Sequence, residues 1–297
     1  AIVFRAWFAV RDHLITASGQ NTTGASGFMT MLLKVLREQN PTHLAVTFDT
    51  KAPTFRKEMF PEYKARRPKV DPALHEQIPI VKEILKPMGI PVYEHDGFEA
   101  DDLIGTLSKQ AADQGFNTLI LTGDADQLQL ADDNTSILMY TGWGDAKIYG
   151  PAGVAERYDG LGPEFVAEIK ALEGDPSDNI PGVPGVGKKS ARAVLTQLGH
   201  FDSLFNHLED VENIDGLRGA KRTMELLKQH RDIAARALLL TTIVRDVPVK
   251  FDPKICRFGD FDREAVLKTL MNYELRTVAN RLPKTASSDN SKIGNPS

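Results

Sequence analysis

Short runs of apolar and β-branched residues recur in the first half of the chain. Two such runs occupy residues 44–48 and 118–122, and a weaker one occupies 90–93. Between the last two runs, apolar residues recur at helical spacing until Gly115, which ends the pattern. Runs of this kind predict buried strands, and the order strand, helix, strand predicts a parallel sheet.

Acidic residues lie next to these predicted elements. Asp49 and Asp124 closely follow two of the strands, and Glu99, Asp101 and Asp102 fall at the start of the intervening helix. In open parallel sheets, ligands bind beyond the carboxyl ends of the strands. We therefore expect all five side chains near one edge of the sheet.

The pattern becomes helical from Pro151 onward. Helices are predicted in PAGVAERY, PEFVAEIKALEG, GKKSARAVLTQLG and FDSLFNHLED, two further helices reach Leu240, and one or two more lie within 262–282. The last segment, PKTASSDNSKIGNPS, is polar, which is typical of a disordered tail or linker. We predict three parts, namely an α/β domain at 1–150, a helical subdomain at 151–282 and a tail or linker at 283–297.

Composition argues against several classes of protein. Cys256 is the only cysteine among 297 residues, so neither a disulfide framework nor a thiolate zinc site is expected, and the expected compartment is the reducing cytosol. The histidines form no HExxH pair, and neither a membrane-spanning run nor a signal peptide is seen. The formal net charge of −4 does not by itself suit a polyanionic partner, but the basic residues are clustered.

Carboxylates gather in four short segments. Mg²⁺ and Mn²⁺ prefer oxygen ligands, and these segments hold few basic residues, so the pattern indicates a metal site rather than a network of salt bridges. Each acid alone is more often structural, because acids favour helix starts and strand ends. Together they could bind two ions, roughly 4 Å apart, that activate water for phosphodiester hydrolysis. The eight acids are Asp49, Glu99, Asp101, Asp102, Asp124, Asp126, Asp175 and Asp178.

A basic segment with interleaved aromatic residues follows Asp49. A charged loop in solvent is one interpretation. Cations beside aromatic rings favour another, the binding of single-stranded nucleic acid, where stacking contributes about 1–3 kcal/mol per base. The basic and aromatic residues are Phe55, Arg56, Lys57, Phe60, Tyr63, Lys64, Arg66, Arg67 and Lys69.

A glycine-rich hairpin, NIPGVPGVGKKS, opens a helix in the second half of the chain. Its glycines let backbone N–H groups approach a phosphate, and Lys188 and Lys189 add two cations at a helix start that favours anions. A nucleotide-binding P-loop is the alternative, because residues 182–188 match GxxxxGK. Against it, Lys189 stands where Ser or Thr should be, and a nearby proline disfavours the preceding strand.

Seven motifs carry a resemblance to a known family. They are FRAWFA at 4–9, FD at 48–49, TFR at 54–56, PEYKAR at 61–66, GFEADD at 97–102, TGDAD at 122–126 and GDPSDN at 174–179. On these motifs the chain resembles the 5′-nuclease domain at the amino end of bacterial DNA polymerase I, in the flap endonuclease family. The resemblance implies a PIN-like α/β core with a mostly parallel central sheet, a helical arch at about 51–80, and a helix-three-turn-helix element, similar to a helix-hairpin-helix, at about 175–200 that binds duplex DNA.

The resemblance also implies roles for individual residues. A first metal ion would be bound by Asp49, Glu99, Asp101 and Asp124. A second would be bound by Asp126, Asp175 and Asp178, with Asp102 as a supporting acid. DNA contacts would come from Arg5, Arg56, Tyr63, Lys64, Arg66 and Arg67, of which Arg5, Arg56 and Lys64 lie near the scissile phosphate. The duplex would be held by Gly182, Gly185, Gly187, Lys188 and Lys189, with K⁺ in the hairpin.

One acid of the family pattern is absent from the sequence. Family members begin with a strand that ends in Asp-Gly, just upstream of the segment matching residues 1–10, and the sequence starts after that acid. Either the sequence omits its true beginning, or the chain is a DNA-binding module of the same fold with impaired catalysis. Both alternatives remain open.

These inferences predict a structure-selective 5′ nuclease with two divalent ions, Mg²⁺ or Mn²⁺. Its substrates would be 5′ flaps and 5′ ends of branched or nicked duplex DNA, and also the RNA strand of hybrids. Its expected roles are primer removal and repair in the cytoplasm, at the nucleoid. We expect a monomer without membrane contact, and a C-terminal polymerase region in the full-length protein.

Overall fold

The computed structural model describes residues 2–9, 12–68, 71–140 and 146–283. Two compact units are formed, each from separated stretches of the chain. The first comprises Ala1–Phe48, Lys69–Glu94 and Lys250–Ser297, and the second comprises Asp49–Pro68 and His95–Val249.

The helices and strands follow one another in mixed order. The helices are α1 (Ile2–Phe8), α2 (Thr23–Gln39), α3 (Phe55–Met59), α4 (Pro72–His75), α5 (Gln77–Leu85), α6 (Ala100–Ala112), α7 (Pro151–Arg157), α8 (Val166–Glu173), α9 (Lys188–Leu198), α10 (Phe201–Asn206), α11 (Ala220–Gln229), α12 (Arg231–Thr241), α13 (Pro253–Cys256), α14 (Arg263–Asn272) and α15 (Arg276–Ala279). The strands are β1 (Val46–Thr47), β2 (Val92–Tyr93), β3 (Thr118–Thr122), β4 (Thr135–Tyr140) and β5 (Ala146–Tyr149). Short 3₁₀ helices span Ala125–Leu130, Pro163–Phe165 and Leu208–Asn213. In the described ranges, no helix combines the length and the apolar character needed to cross a bilayer.

The first unit buries its apolar side chains around α2 and α5. Met29 and Leu33 lie four residues apart on one face of α2, and both are buried, as is Ile84 of α5. β1 and β2 form a short parallel pair, with Val46 opposite Val92. These contacts form one apolar core within this unit.

The second unit contains a three-stranded sheet in the order β3, β4, β5. β3 and β4 are parallel, with Ile120 opposite Ile137. β5 runs antiparallel to β4, with Leu138 opposite Ile148. The sheet is therefore mixed, and its parallel pair contains the predicted strand at 118–122.

The predicted strands are confirmed, but their pairing differs from the prediction. β1, β2 and β3 lie within the three apolar runs, and α6 ends shortly before Gly115, whose φ of +81° suits glycine. Among the described residues, β2 pairs with β1 and β3 pairs with β4, so the strands on either side of α6 belong to different sheets. An apolar run indicates a strand without specifying its partner.

One apolar core joins the sheet of the second unit to the helices that follow it. Ile137 of β4, Ile169 and Leu172 of α8, and Leu195 of α9 are all buried in this core. The helices predicted after Pro151 are present as α7 to α12, α14 and α15. Within this unit the sheet is covered by helices beyond residue 150, and the domain limit at that residue stays a prediction. From residue 284 on, the predicted tail lies outside the described residues.

The stretch predicted to form an arch, 51–80, contains several short elements. It includes α3, a run of turns at 61–66, α4 and the start of α5, and residues 69–70 lie outside the described ranges. The two units divide this stretch at Pro68. An arch that acts as one element therefore stays a prediction.

The segment between α8 and α9 is a tight hairpin. Asp175 and Ile180 exchange two backbone hydrogen bonds, both with N···O distances of 2.9 Å. Gly182 lies so close to the end of α8 that a Cβ atom there would be 2.2 Å from the nitrogen of Gly174 and 2.5 Å from the oxygen of Leu172. Only glycine fits this position without movement of the backbone.

We predict that Gly182→Ala destabilises the protein, because the added methyl group would overlap backbone atoms that cannot rotate away. The expected loss in the free energy of unfolding is about 3 kcal/mol, measured by urea denaturation. Gly153→Ala in α7 is the control, because its Cβ would make only an ordinary contact of 3.5 Å with the Tyr149 ring. Equal stability of the two variants would show that the hairpin is not closed as tightly as described.

Candidate functional site

Arg56 of α3 is buried, and every N–H of its guanidinium group is hydrogen-bonded. Its two Nη atoms donate to the two carboxylate oxygens of Asp102, both at 2.7 Å, and Nη1 lies 3.4 Å from an oxygen of Glu99. The remaining N–H groups donate to the carbonyls of Leu240 and Thr242, at 2.9 and 2.8 Å. Burial lowers the pKa of Arg56, but the two acids outweigh it and raise that pKa overall. Arg56 therefore joins α3, α6 and the end of α12 as a permanent cation.

Asp102 is completely buried, and each of its oxygens accepts two hydrogen bonds. Besides Arg56, the donors are the N–H of Val244 at 2.9 Å and the N–H of Glu99 at 3.0 Å. Asp102 is the third residue of α6, where a carboxylate can satisfy a free N–H at the helix start. Its role in this structure is to fix α6 to its neighbours.

The turns after α3 place three side chains on further acids. The hydroxyl of the buried Tyr63 lies 2.9 Å from an oxygen of Glu99 and 3.1 Å from an oxygen of Asp178. Lys64 pairs with Glu99 at 2.5 Å and lies 3.7 Å from Asp178, with which Arg67 pairs at 2.5 Å. Burial and the two carboxylates raise the pKa of Tyr63, so its hydroxyl stays protonated and donates.

Lys170, in the last turn of α8, links two more acids. Its Nζ atom pairs with Asp126 and lies 2.7 Å from an oxygen of Asp175. The other oxygen of Asp175 accepts from the N–H and the hydroxyl of Ser177, at 2.9 and 2.6 Å. Burial raises the pKa of Asp126 to about 6, although Lys170 opposes this shift. Burial lowers the pKa of Lys170, but the two carboxylates raise it overall, so the lysine stays charged.

Asp101 in the first turn of α6 interacts with two further acids. Asp49 is exposed and accepts from the N–H of Ala100 at 2.8 Å, while Asp124 accepts from the N–H of Asp126 at 3.1 Å. Burial raises the pKa of Asp101 to about 7, and repulsion by Asp124 and Asp49 adds to the shift. Negative charge is therefore crowded at the start of α6.

The second unit thus links the eight predicted acids by contacts or by charge interactions, but it does so together with cations. The acidic segments themselves hold few basic residues, but the fold brings cations to them from elsewhere. Arg56, Lys64, Arg67 and Lys170 each form an ion pair with at least one acid. Within the part of the chain that the structure describes, no three His, Cys, Asp or Glu side chains are placed to hold one metal ion. The arrangement is a network of salt bridges around the carboxylates.

Three of the predicted site residues are buried and have their polar groups engaged in this structure. Arg56 has no N–H left for a phosphate, and Asp102 has no oxygen left for a metal ion. Tyr63 is only 4% exposed, so its ring is not placed to stack on a base. In each case the motif identified a residue of the site, but tertiary contacts gave it a structural partner that the motif does not show.

Four further predicted cations are exposed. Arg66 lies in the turns after α3, and Arg5 lies on α1 in the first unit. Lys188 and Lys189 begin α9 and are exposed there. Their contacts with DNA stay predictions.

A groove of about 480 Å³ runs beside the start of α9. Its basic side chains are Lys188, Lys189 and Arg192, and Arg192 is held by an ion pair of 2.6 Å with Asp159. The hairpin before α9 follows α8, so it joins two helices. A P-loop joins a strand to a helix, and the structure therefore argues against the P-loop alternative. Two other glycines of the hairpin are predicted to bind duplex DNA. Gly185 has a φ of +84°, and Gly187 is the residue before α9.

Sequence reasoning missed Lys170 and Arg192. Lys170 is the only basic residue in the largely apolar stretch VAEIKALEG. This position is a usable signal of an ion pair, because a buried lysine needs an acid beside it. The identity of one partner, Asp126, could not be read from the sequence, since 44 residues separate the two.

Comparison with known proteins identifies the family. Residues 1–159 match the family described as 5′-3′ exonuclease, N-terminal resolvase-like domain, and residues 161–264 match 5′-3′ exonuclease, C-terminal SAM fold. The chain belongs to the 5′-3′ exonuclease family. This membership confirms the resemblance seen in the sequence motifs and makes the chain a member of a family of nucleases.

Relatives of this exonuclease chain include full-length polymerases. It is 39% identical over 291 residues to DNA polymerase I of Chloroflexus aurantiacus, with 97% of this chain and 30% of the relative covered. It is also 39% identical over 283 residues to DNA polymerase I of Bacillus subtilis, with 95% and 31% covered. The chain therefore spans about a third of the length of these relatives.

Solved structures confirm the predicted fold class. The T5 D15 protein co-crystallised with metal ions is similar with a TM-score of 0.63 at 20% identity, covering 87% of this chain and 93% of that one. The catalytic core of Rad2 in complex with DNA substrate is similar with a TM-score of 0.62 at 17% identity, covering 94% and 88%. At these identities the likeness concerns the fold.

We predict that Arg56→Met destabilises this exonuclease chain, because it leaves Asp102 buried without its counter-ion. The expected loss in the free energy of unfolding is about 3–5 kcal/mol, measured by urea denaturation. Arg66→Met, an exposed change in the same segment, should shift it by no more than about 0.5 kcal/mol. Unchanged stability of Arg56→Met together with weaker DNA binding would instead restore the predicted phosphate contact.

Proposed function

We propose that the chain is a structure-selective 5′ nuclease, which hydrolyses phosphodiesters at 5′ flaps and 5′ ends of branched or nicked duplex DNA. The observation that carries the proposal is the crowding of carboxylates around the first turn of α6. Burial and repulsion there raise the pKa of Asp101 to about 7, and a divalent cation beside the carboxylates would relieve the repulsion. Membership of the 5′-3′ exonuclease family supports this chemistry.

The donor set fits hard divalent ions such as Mg²⁺ or Mn²⁺, because all of its ligands are carboxylates. Asp49, Glu99, Asp101 and Asp124 would hold one ion, and Asp126, Asp175 and Asp178 a second. Ions bound there would supply an activated water and stabilise the leaving oxygen. The T5 D15 protein, which shares the fold, was co-crystallised with metal ions, and this supports the assignment.

Lys64 is the best candidate for the cation beside the scissile phosphate. Its side chain is 25% exposed and lies on Glu99, whereas that of Arg56 is 3% exposed. Because Glu99 also pairs with Arg56, the Lys64 ammonium group can turn from the carboxylate to a phosphate without leaving that acid unpaired. Arg66 and Arg67 would add phosphate contacts in the same segment, and Arg5 is assigned to a phosphate near the cut.

The groove beside α9 is the proposed contact for duplex DNA. Lys188 and Lys189 are exposed at the start of the helix, where N–H groups also favour an anion. Contacts of this kind bind the phosphate backbone of DNA rather than the bases, so the preference for particular DNA sequences should be slight. Rad2, which shares the fold, was solved with a DNA substrate. A K⁺ ion in the hairpin 182–187 belongs to the same proposal.

The relatives support a proposal for the wider context. Each named relative is a DNA polymerase I, of which this chain matches about a third. We propose that the nuclease serves primer removal and repair at the nucleoid, that it also accepts the RNA strand of hybrids, and that it acts as a monomer joined to a polymerase region in the full-length protein.

We predict that Asp124→Ala abolishes most cleavage of a labelled 5′-flap duplex in Mg²⁺ or Mn²⁺ while flap binding changes less than about twofold. The change removes a proposed metal ligand and no phosphate-binding cation. Asp133→Ala, an exposed acid beyond β3, should cleave like the unchanged chain. EDTA should stop cleavage in all active variants.

Two results would contradict this proposal. Full cleavage by Asp124→Ala would remove Asp124 from the site. Tight flap binding without cleavage by the unchanged chain, in either metal, would favour the alternative of a DNA-binding module with impaired catalysis.

We predict that changing both Lys188 and Lys189 to Ala weakens duplex binding to a similar extent across sequences. Loss of two phosphate contacts should reduce the slope of log K against log salt by about 2. The control is Lys109→Ala with Lys228→Ala, which makes the same change in net charge at exposed positions outside the groove. An equal slope for the two double variants would show that the groove does not bind phosphate.

A further inference from the structure

Lys170 differs from the other cations of the network in what it joins. It extends from α8 to Asp126, in the 3₁₀ helix after β3, and to Asp175, the first residue of the hairpin bridge. These two acids belong to the proposed second metal position, and a single ammonium group lies between them.

A lysine between two carboxylates supplies the same kind of charge as a metal ion at that point. The ammonium group is a compact cation on a flexible stem, and it reduces the repulsion of the two acids. Asp175 is also held by Ser177, because its second oxygen accepts from the N–H and hydroxyl of that residue. Asp175 is therefore fixed locally, and the Lys170 ammonium group links Asp126 to it.

The Lys170 side chain is partly open to solvent. It is 16% exposed, and among the described residues its Nζ atom forms ion pairs with these two acids. Arg56, by contrast, is 3% exposed and bonded through all of its N–H groups. Arg56 is thus a buried part of the fold, whereas solvent reaches the side chain of Lys170.

We propose that Lys170 is the counter-ion of the metal-free second position: it holds Asp126 and Asp175 together before a divalent ion binds, and it lowers the affinity of that ion. The inference rests on the proposed function, because it assumes that these acids ligate a metal ion. Metal binding and withdrawal of the ammonium group are then one exchange of cations, and Lys170 is a positioning residue that sets the metal concentration at which the site fills.

The experiment is a Mn²⁺ titration of the chain without DNA, with free Mn²⁺ followed by electron paramagnetic resonance. The variants are Lys170→Met, which removes the charge at similar size, Lys170→Arg, which keeps it, and Lys109→Met, an exposed control on α6. We expect Lys170→Met to tighten the weaker of two Mn²⁺ sites at least tenfold and to leave the stronger site within twofold. Lys170→Arg and Lys109→Met should match the unchanged chain.

Thermal unfolding gives a second reading that does not depend on catalysis. In EDTA, Lys170→Met should unfold at a lower temperature than the unchanged chain, because two acids lose their counter-ion. In saturating Mn²⁺ the difference should disappear. A variant that folds only in Mn²⁺ would also support the inference, as would the same pattern in Lys170→Gln.

Unchanged or weaker Mn²⁺ binding by Lys170→Met would overturn the inference and make Lys170 a structural tether. This failure is separable from failure of the proposed function. If the unchanged chain cleaves flaps in Mn²⁺ while Lys170→Met gains no affinity, only the role of Lys170 is lost. If the unchanged chain neither binds Mn²⁺ nor cleaves, both proposals fail.

Discussion

Carboxylates packed close together require positive charge beside them, and this requirement organises the second unit. Its acids come from the end of β3, the start of α6 and the hairpin after α8. One acid in each of these three places accepts from a nearby backbone N–H group, namely Asp124, Asp102 and Asp175. The backbone therefore holds negative charges together that would otherwise separate, and side chains from other elements supply the compensation.

The compensating cations fall into two kinds. Arg56 is bonded through all of its N–H groups to Asp102, Glu99 and the end of α12, and it acts as part of the core. Lys64 and Lys170 each hold their acids through one ammonium group that solvent reaches. The same network thus combines a buried arginine with two ammonium groups that are partly open to solvent. Under the proposed function, these two groups are the ones that would give way to a phosphate and to a metal ion.

How much of this could be predicted from the sequence depends on whether the deciding interaction is local. The helices after Pro151 and the end of α6 before Gly115 follow from periodicity and glycine conformation, and they were predicted correctly. Strand pairing was not, because β2 and β3 are apolar runs that could pair with each other or with other strands. The acids were found from their motifs, since each lies in a short segment with its own turn chemistry.

Their partners could not be found in that way. Arg56 and Tyr63 lie in a basic, aromatic segment that predicts exposed nucleic-acid contacts. In this structure both are buried, with Arg56 bonded to the end of α12 and Tyr63 to Glu99 at the start of α6. The sequence pattern presents Lys170 as an ordinary helix residue, although it pairs with Asp126, which lies 44 residues away in the chain. Long-range ion pairs depend on the packing of whole elements, and single-sequence patterns carry little information about them.

Anomalous diffraction from crystals soaked in Mn²⁺ tests the central claim most directly. We expect two anomalous peaks, each marking one Mn²⁺ ion. One ion is bound by oxygens of the group around Asp101 and Asp124, and the other by oxygens of Asp126 and Asp175, with the Lys170 ammonium group withdrawn. Crystals with no peak at these carboxylates, and with the ion pairs of Lys64 and Lys170 intact at saturating Mn²⁺, would contradict this claim.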